Sequence, residues 1–278
     1  MRIRIVYDTR YAYETPARMV AQVLRLTPRS NDSQYVAHWR VELDIDEAAP
    51  CGEDALGNIT HTFFTTKPLS HLTITVSGEV ETTDTHGLLT GVIEPLPADV
   101  FLRETPLTTM DDAMRAFAED LAGMPGRDRL TVLHDLLGAL HGNVTFDTAS
   151  THVATSAIEA FAQKRGVCQD LTHIYIACAR YLGLPARYVS GHLVKLSGEV
   201  EQQASHAWAE ALVPDLGWVG FDVANGISPS ETHVRVACGF DYLSAAPVRG
   251  ARIGGGTEEL SVKLAVADLA QRQTQTSA

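Results

Sequence analysis

The chain changes its hydrophobic period twice, and that double change restricts the folds open to it. Apolar and polar residues alternate through Arg2-Ile3-Arg4-Ile5-Val6-Tyr7 and again over residues 20–26, 35–45, 59–66 and 72–81, with Gly, Asn, Asp and Pro in between. A period of two is that of a strand with one face buried, and short runs of it separated by turn residues predict antiparallel strands packed as a β-sandwich. From Thr109 the period lengthens. Leu130, Leu133, Leu137 and Leu140 recur at the three- and four-residue steps that line one helix face, so 111–121 and 128–140 read as amphipathic helices. Ser156, with Glu159 three residues on, has capping-box spacing and starts another short helix. Gly166 breaks it, and a long helix over 168–182 follows, stopped by Gly183 and Pro185 in the order that helix ends favour. Alternation then returns over 186–196, 205–213, 218–223, 233–239 and 259–267. Strands, then helices, then strands make an α+β fold.

With 278 residues, 45% of them hydrophobic, the chain is long enough to bury two modest cores. The two prolines of Glu94-Pro95-Leu96-Pro97-Ala98-Asp99 restrict the backbone and interrupt pairing, which marks the connector. The expected partition is an antiparallel β-sandwich over 1–98, a helical half plus antiparallel sheet over 99–268, and a polar tail over 269–278. Gly250-Ala251-Arg252-Ile253-Gly254-Gly255-Gly256 reads as a flexible loop.

The net charge is −12, and Lys and Arg are scattered rather than gathered into a stripe. Neutralising phosphates needs a basic footprint, so nucleic acid is not an expected partner. The opening residues lack the apolar core and cleavage site of a signal peptide, and no run is long enough to span a bilayer. A cytoplasmic location without a membrane partner is the expectation. Cys51, Cys168, Cys178 and Cys238 show no short paired spacing of the kind that binds zinc or forms a redox dithiol. No metal and no other cofactor is expected.

Cys168 opens the long predicted helix in Arg165-Gly166-Val167-Cys168-Gln169-Asp170-Leu171-Thr172-His173. Partial positive charge and unpaired N–H groups at a helix N-terminus favour a thiolate and can hold an oxyanion. A cysteine in a soluble protein is most often a small buried apolar group; position sets this one apart. Downstream, His206 in Ser205-His206-Ala207-Trp208-Ala209-Glu210 and Asp222 in Trp218-Val219-Gly220-Phe221-Asp222 lie in strand-like runs. A cysteine nucleophile needs a basic partner, and an imidazole needs an acceptor on its second nitrogen. Neighbouring strands presenting both groups toward the helix start would meet those needs.

At these stretches, together with Leu184-Pro185-Ala186-Arg187-Tyr188-Val189-Ser190-Gly191, the chain resembles the bacterial form of the transglutaminase-like superfamily of cysteine enzymes. The resemblance is specific over about residues 130–250 and continuous with the β domain that often precedes the core in bacterial members. It implies a papain-like, transglutaminase-like core with Cys168 as nucleophile, His206 as its base and Asp222 as the orienting acid. Two departures stand out. The family commonly continues Pro-Thr after the aspartate, where this chain has Asp222-Val223-Ala224-Asn225-Gly226, and relatives often carry Arg at the position of Phe240.

Gln169 and Asp170 are read as setting the helix start, and Gln163 is a candidate second oxyanion donor beside the Cys168 N–H. Gln169 and Trp208 are further candidates for contact with substrate, Trp208 as a wall that keeps water from the thiolate. Cys178 and His173 read as packing residues, His192 as a residue that could flank the cleft, and His134 and His141 as ordinary helix residues. The function the resemblance implies is hydrolysis of a peptide or small amide through a thioester acyl-enzyme, with acyl transfer to an amine as its variant. The alternative is a catalytically silent binding or scaffold protein on the same fold. Oligomeric state, a homo-oligomer included, is left open.

Overall fold

The first strand continues through Pro16, although its pairing is interrupted there. In the computed structural model, which describes residues 1–124, 126–195, 200–202 and 205–269 with the side chains of 201 and 202 excepted, β1 (Arg2–Thr27) runs through 26 residues. The sequence pattern predicts two strands there, because Asp8, Arg10, Glu14 and Thr15 interrupt the apolar signal while the backbone bonding continues. A proline has no N–H for a ladder. The pairing of β1 is irregular between Ala12 and Ala17, and its partners change there.

Four more strands complete the N-terminal region: β2 (Gln34–Leu43), β3 (Cys51–Glu53), β4 (Ile59–Thr65) and β5 (Leu69–Thr82). The first half of β1 pairs with β5, which pairs with β2; the second half pairs with β4, which pairs with β3. The sheet therefore curls on itself. Ile3, Ile5 and Tyr7 from one half and Val20, Leu24 and Leu26 from the other share a core with Phe63, Leu72 and Ile74.

The middle of the chain holds β6 (Leu88–Leu89), α1 (Asp112–Ala122), α2 (Arg129–Asn143), β7 (Thr145–Phe146), α3 (Ala157–Gln163), β8 (Arg165–Gly166) and α4 (Cys168–Tyr181). The helices start where capping chemistry places them: Asp111 and Asp128 accept the N–H groups of Met114 and Thr131, and Ser156 and Glu159 form the expected capping box. After them come β9 (Ala186–Leu193), β10 (Glu201–Gln202), β11 (His206–Val213), β12 (Gly217–Phe221), β13 (His233–Gly239), α5 (Tyr242–Ala245), β14 (Val248–Gly254) and β15 (Glu258–Asp268). Position 196, at the end of the strand expected over 186–196, lies outside the described residues.

The second sheet has the order β13-β9-β11-β12-β6, and α4 packs on it. Ala207, Ala209 and Ala211 place small side chains at every second position of β11, so Leu171, Ile174 and Tyr175 of α4 close on the sheet and share one core with Phe221.

The last two strands return to the first sheet. β14 pairs with the second half of β1 and β15 with the first, in registers Leu24↔Val248 and Ile3↔Asp268. Residues 248–268, grouped with the catalytic core on sequence, thus complete the N-terminal sheet. The stretch read as a flexible glycine loop is largely β14. A Cβ on Gly250 would lie 2.2 Å from the Ala21 carbonyl oxygen, so close strand approach, not flexibility, accounts for that glycine. The connector is also more than a spacer, because Glu94 makes a paired contact with the buried Arg187 at 2.8 and 3.0 Å. The polar tail lies, from residue 270 on, outside the described residues. Among the described residues, no helix is long and apolar enough to cross a membrane.

Candidate active site

Val167 precedes α4 and has no side-chain oxygen with which to cap it. Instead the Asp170 carboxylate turns back and accepts the Val167 N–H at 2.8 Å, with the Thr151 hydroxyl at 2.7 Å on the same oxygen. Burial pushes the Asp170 carboxyl upward, and these two hydrogen bonds oppose the shift. The N–H groups of Cys168 and Gln169 have no partner among the backbone and side-chain bonds of the described residues. A helix start of this kind sets donors beside the half-buried Cys168 thiol.

His206 is the first residue of β11 and Asp222 directly follows β12. The antiparallel register Ala209↔Phe221 brings these two ends together. His206 Nε2 lies 2.7 Å from Asp222 Oδ2, and the Cys168 side chain is near enough to the same imidazole to act on its charge. Burial by itself favours the neutral ring, but the Asp222 and Cys168 contacts outweigh it and raise the His206 pKa to about 10. Burial would likewise raise the Asp222 carboxyl, yet hydrogen bonds from two imidazoles hold it well below the usual carboxylate range.

The second imidazole is His233, the first residue of β13. Its Nε2 is 3.0 Å from the same Asp222 Oδ2. Asn225 completes the shell: its Nδ2 donates to Oδ2 at 2.7 Å and its backbone N–H to Oδ1 at 3.2 Å. The loop that departs from the family pattern thus secures the carboxylate itself. His141 of α2 supports that loop through the Val223 carbonyl, with its Nδ1 at 3.2 Å.

Trp208 sits beneath both imidazoles, with ring centroids 5.4 Å from His233 and 6.2 Å from His206. It fits because β9 carries Gly191 there. A Cβ at that position would come within 2.5 Å of the indole and 2.3 Å of the Val234 carbonyl oxygen. The His206, Asp222 and His233 ligand atoms lie within 4.8 Å of one another, a spacing that a metal ion could use. Both imidazole contacts to Asp222 are, however, of hydrogen-bond length and fall on one oxygen, which is a proton-sharing geometry.

Of the residues singled out on sequence, Cys168, His206 and Asp222 come together and Trp208 lies against them. Gln169 is buried at the start of α4, with its Nε2 donating to the Val153 carbonyl at 3.3 Å, so its side chain ties the helix to the preceding loop. Gln163 is not brought to the group: it is the exposed last residue of α3 and has no hydrogen bond to these side chains. His192 faces the N-terminal sheet, with its ring against Tyr7 at 6.1 Å, rather than the cleft. His173 is buried and accepts the Tyr242 N–H at 3.0 Å, and His134 packs against Phe221. Burial pushes the Cys178 thiol up to about 12. Phe240, where relatives often carry Arg, packs on Phe101 with ring centroids 5.4 Å apart. Sequence reasoning missed His233 and Asn225. His233 opens a predicted strand just as His206 does, and a buried carboxylate needs more donors than one imidazole supplies.

Two family models match the chain: "Transglutaminase-like superfamily" over residues 115–223 and "Bacterial transglutaminase-like N-terminal region" over residues 3–81. An uncharacterized protein of Mycobacterium leprae, ML0607, is 30% identical over 287 residues, covering 97% of this chain and 99% of that protein. An uncharacterized Mycobacterium tuberculosis protein, Rv2569c, is 30% identical over 273 residues, covering 90% of this chain and 87% of that one. In fold, the chain is similar to a Cytophaga hutchinsonii protein described as a candidate cysteine protease, with a TM-score of 0.77, 21% identity and coverage of 97% and 91% of the two chains.

Proposed function

The chain belongs to the transglutaminase-like superfamily, and we propose that it is a cysteine-dependent hydrolase of peptide or small amide bonds. The observation that carries this reading is a single imidazole, His206, hydrogen-bonded to the buried Asp222 and set beside the half-buried Cys168 at the start of α4. A basic imidazole beside a thiol at a helix N-terminus is the arrangement that favours an imidazolium–thiolate pair in cysteine enzymes. The thiolate sulfur adds to the substrate carbonyl carbon, and the negative oxygen so formed is held by the Cys168 and Gln169 N–H groups. As the C–N bond breaks, His206 gives its proton to the departing amine, leaving a thioester on Cys168. Neutral His206 then takes a proton from water as the water oxygen attacks the thioester. The C–S bond breaks, the carboxylic acid leaves and the ion pair is restored. An amine in place of water gives acyl transfer by the same steps. Asp222 keeps the imidazole oriented throughout.

Incubation with a library of peptides and simple amides, followed by mass spectrometry of the intact protein, tests the reading. A mass increase equal to an acyl group, mapped to Cys168 and absent in Cys168→Ala, is the expected result. No adduct with any activated ester or amide would favour the scaffold reading instead.

A further inference from the structure

We propose that His233 is a positioning residue for this site, fixed as its Nε2–H tautomer so that it donates to the Asp222 oxygen that also receives His206. The inference rests on the reading of Asp222 as the acid that orients His206.

The tautomer follows from a donor that cannot change roles. The Ser230 backbone N–H points at His233 Nδ1 over 3.2 Å. A backbone amide only donates, so Nδ1 must present its lone pair. The ring proton is then on Nε2, the atom 3.0 Å from Asp222 Oδ2. The Thr232 hydroxyl, 3.1 Å from Nδ1, can donate to the same lone pair. This arrangement also makes Nε2 a donor rather than a metal ligand, since metal binding there would move the proton to Nδ1, against the Ser230 N–H.

The ring has little freedom to leave this geometry. The His233 N–H returns to the Ser230 carbonyl at 3.0 Å, β13 pairs with β9 at His233↔Leu193, and the Trp208 indole stands edge-on to the imidazole at 85°. The segment is clamped from the N-terminal sheet as well. Gln34 of β2 bonds both backbone groups of Arg235, at 2.8 Å each, and the Thr82 hydroxyl of β5 donates to the Glu231 carbonyl at 2.5 Å. The N-terminal region thereby reaches the reacting groups through one imidazole. The titratable groups facing His233 are Asp222 and, across that carboxylate, His206 with Cys168; Arg235 on its own strand is turned to Glu210.

A donor held on Asp222 does two things. It fixes the carboxylate rotamer that receives His206, and it stabilises the carboxylate anion, so that Asp222 stays ionised to lower pH. Removing the donor loosens the imidazole and moves the acid limb of the reaction upward in pH.

The probe is iodoacetamide, with the rate constant of Cys168 alkylation followed by mass spectrometry across pH for the wild type, His233→Phe and His233→Gln. A hydrogen bond to a charged group is worth enough that His233→Phe should slow alkylation at neutral pH by roughly 10- to 100-fold. Its acid limb should shift to higher pH, and Gln, whose amide can place an N–H near the position of Nε2, should recover part of both effects. A folded His233→Phe variant with the wild-type rate and profile overturns the proposal, as does a folded Gln variant no better than Phe. If the Phe variant does not fold, the wild-type protein with 15N-labelled histidine decides: long-range 15N–1H correlations should show the Nε2–H pattern for His233, and an Nδ1–H pattern contradicts it. Failure of the underlying reading looks different, because wild-type Cys168 would then react no faster than the other cysteines.

Discussion

Asp222 and Glu210 are two buried carboxylates of the same sheet, and their partners separate their roles. Glu210 accepts from Arg187 at 2.6 Å and from Arg235 at 2.8 and 3.2 Å. Arg187 then reaches Glu94 of the connector and lies over the Trp218 ring at 3.9 Å. Burial alone would raise the Glu210 carboxyl, but the two guanidinium groups bring it down to about 2. A guanidinium does not give up its proton in a protein, so this cluster is a permanent clamp between sheet and connector. Asp222 is held instead by two imidazoles and an amide, and one of those imidazoles also feels the Cys168 thiol. Imidazoles exchange protons near neutrality. The same functional group, a buried carboxylate, is structural where its partners are fixed charges, and suited to chemistry where a partner can release a proton.

Two substitutions should separate these roles cleanly. Asp222→Asn leaves a side chain of the same shape but removes the charge that holds His206, and by analogy with catalytic triads the reactivity of Cys168 should fall by about 10⁴-fold. Circular dichroism should show the fold retained. Glu210→Ala should do the reverse. It leaves the buried Arg235 guanidinium without its carboxylate and Arg187 with Glu94 alone, a loss of about 3–5 kcal/mol in urea unfolding, while any protein that remains folded keeps a reactive Cys168. Equal losses of stability in the two variants, or equal losses of reactivity, would erase the distinction.

A smaller effect is expected in the pH dependence of stability. The folded-state pKa of His206 is raised from 6.5 to about 10, so the stability it contributes is complete below about 6.5 and is lost as pH rises through about 10. Asp222 has the opposite sign: its contribution is present above its ordinary value of 3.8 and is lost as pH falls toward its depressed folded value. Urea unfolding of the wild type should therefore weaken between pH 7 and pH 10 more than that of His206→Gln. Parallel curves would mean that His206 is not held as a cation.

The helices and the candidate cysteine at a helix start were legible because their signals are local. Asp111 and Asp128 cap helices that the hydrophobic period marks, Ser156 caps another as its spacing from Glu159 suggests, and Cys168 stands at the helix start that Gly166 announces. The helical half and the strands that carry His206 and Asp222 were readable for the same reason. The return of β14 and β15 to β1 was not legible, since hydrophobic period says which face is buried but not which distant strand it pairs with. Gly250 misled for a related reason, because a glycine required by close packing looks in sequence like one required by a turn. His233 and Glu94 escaped notice because their roles depend on side chains far away in the chain, Asp222 in one case and Arg187 in the other.

The competition among the four cysteines for iodoacetamide tests the central claim most directly. Cys51 is exposed, Cys168 is half-buried, and Cys178 and Cys238 are buried, so accessibility alone ranks Cys51 first. Cys168 should nevertheless be labelled fastest, and His206→Ala should slow it below Cys51. Labelling that follows exposure in both proteins, with Cys51 ahead and no response to His206, would contradict that claim.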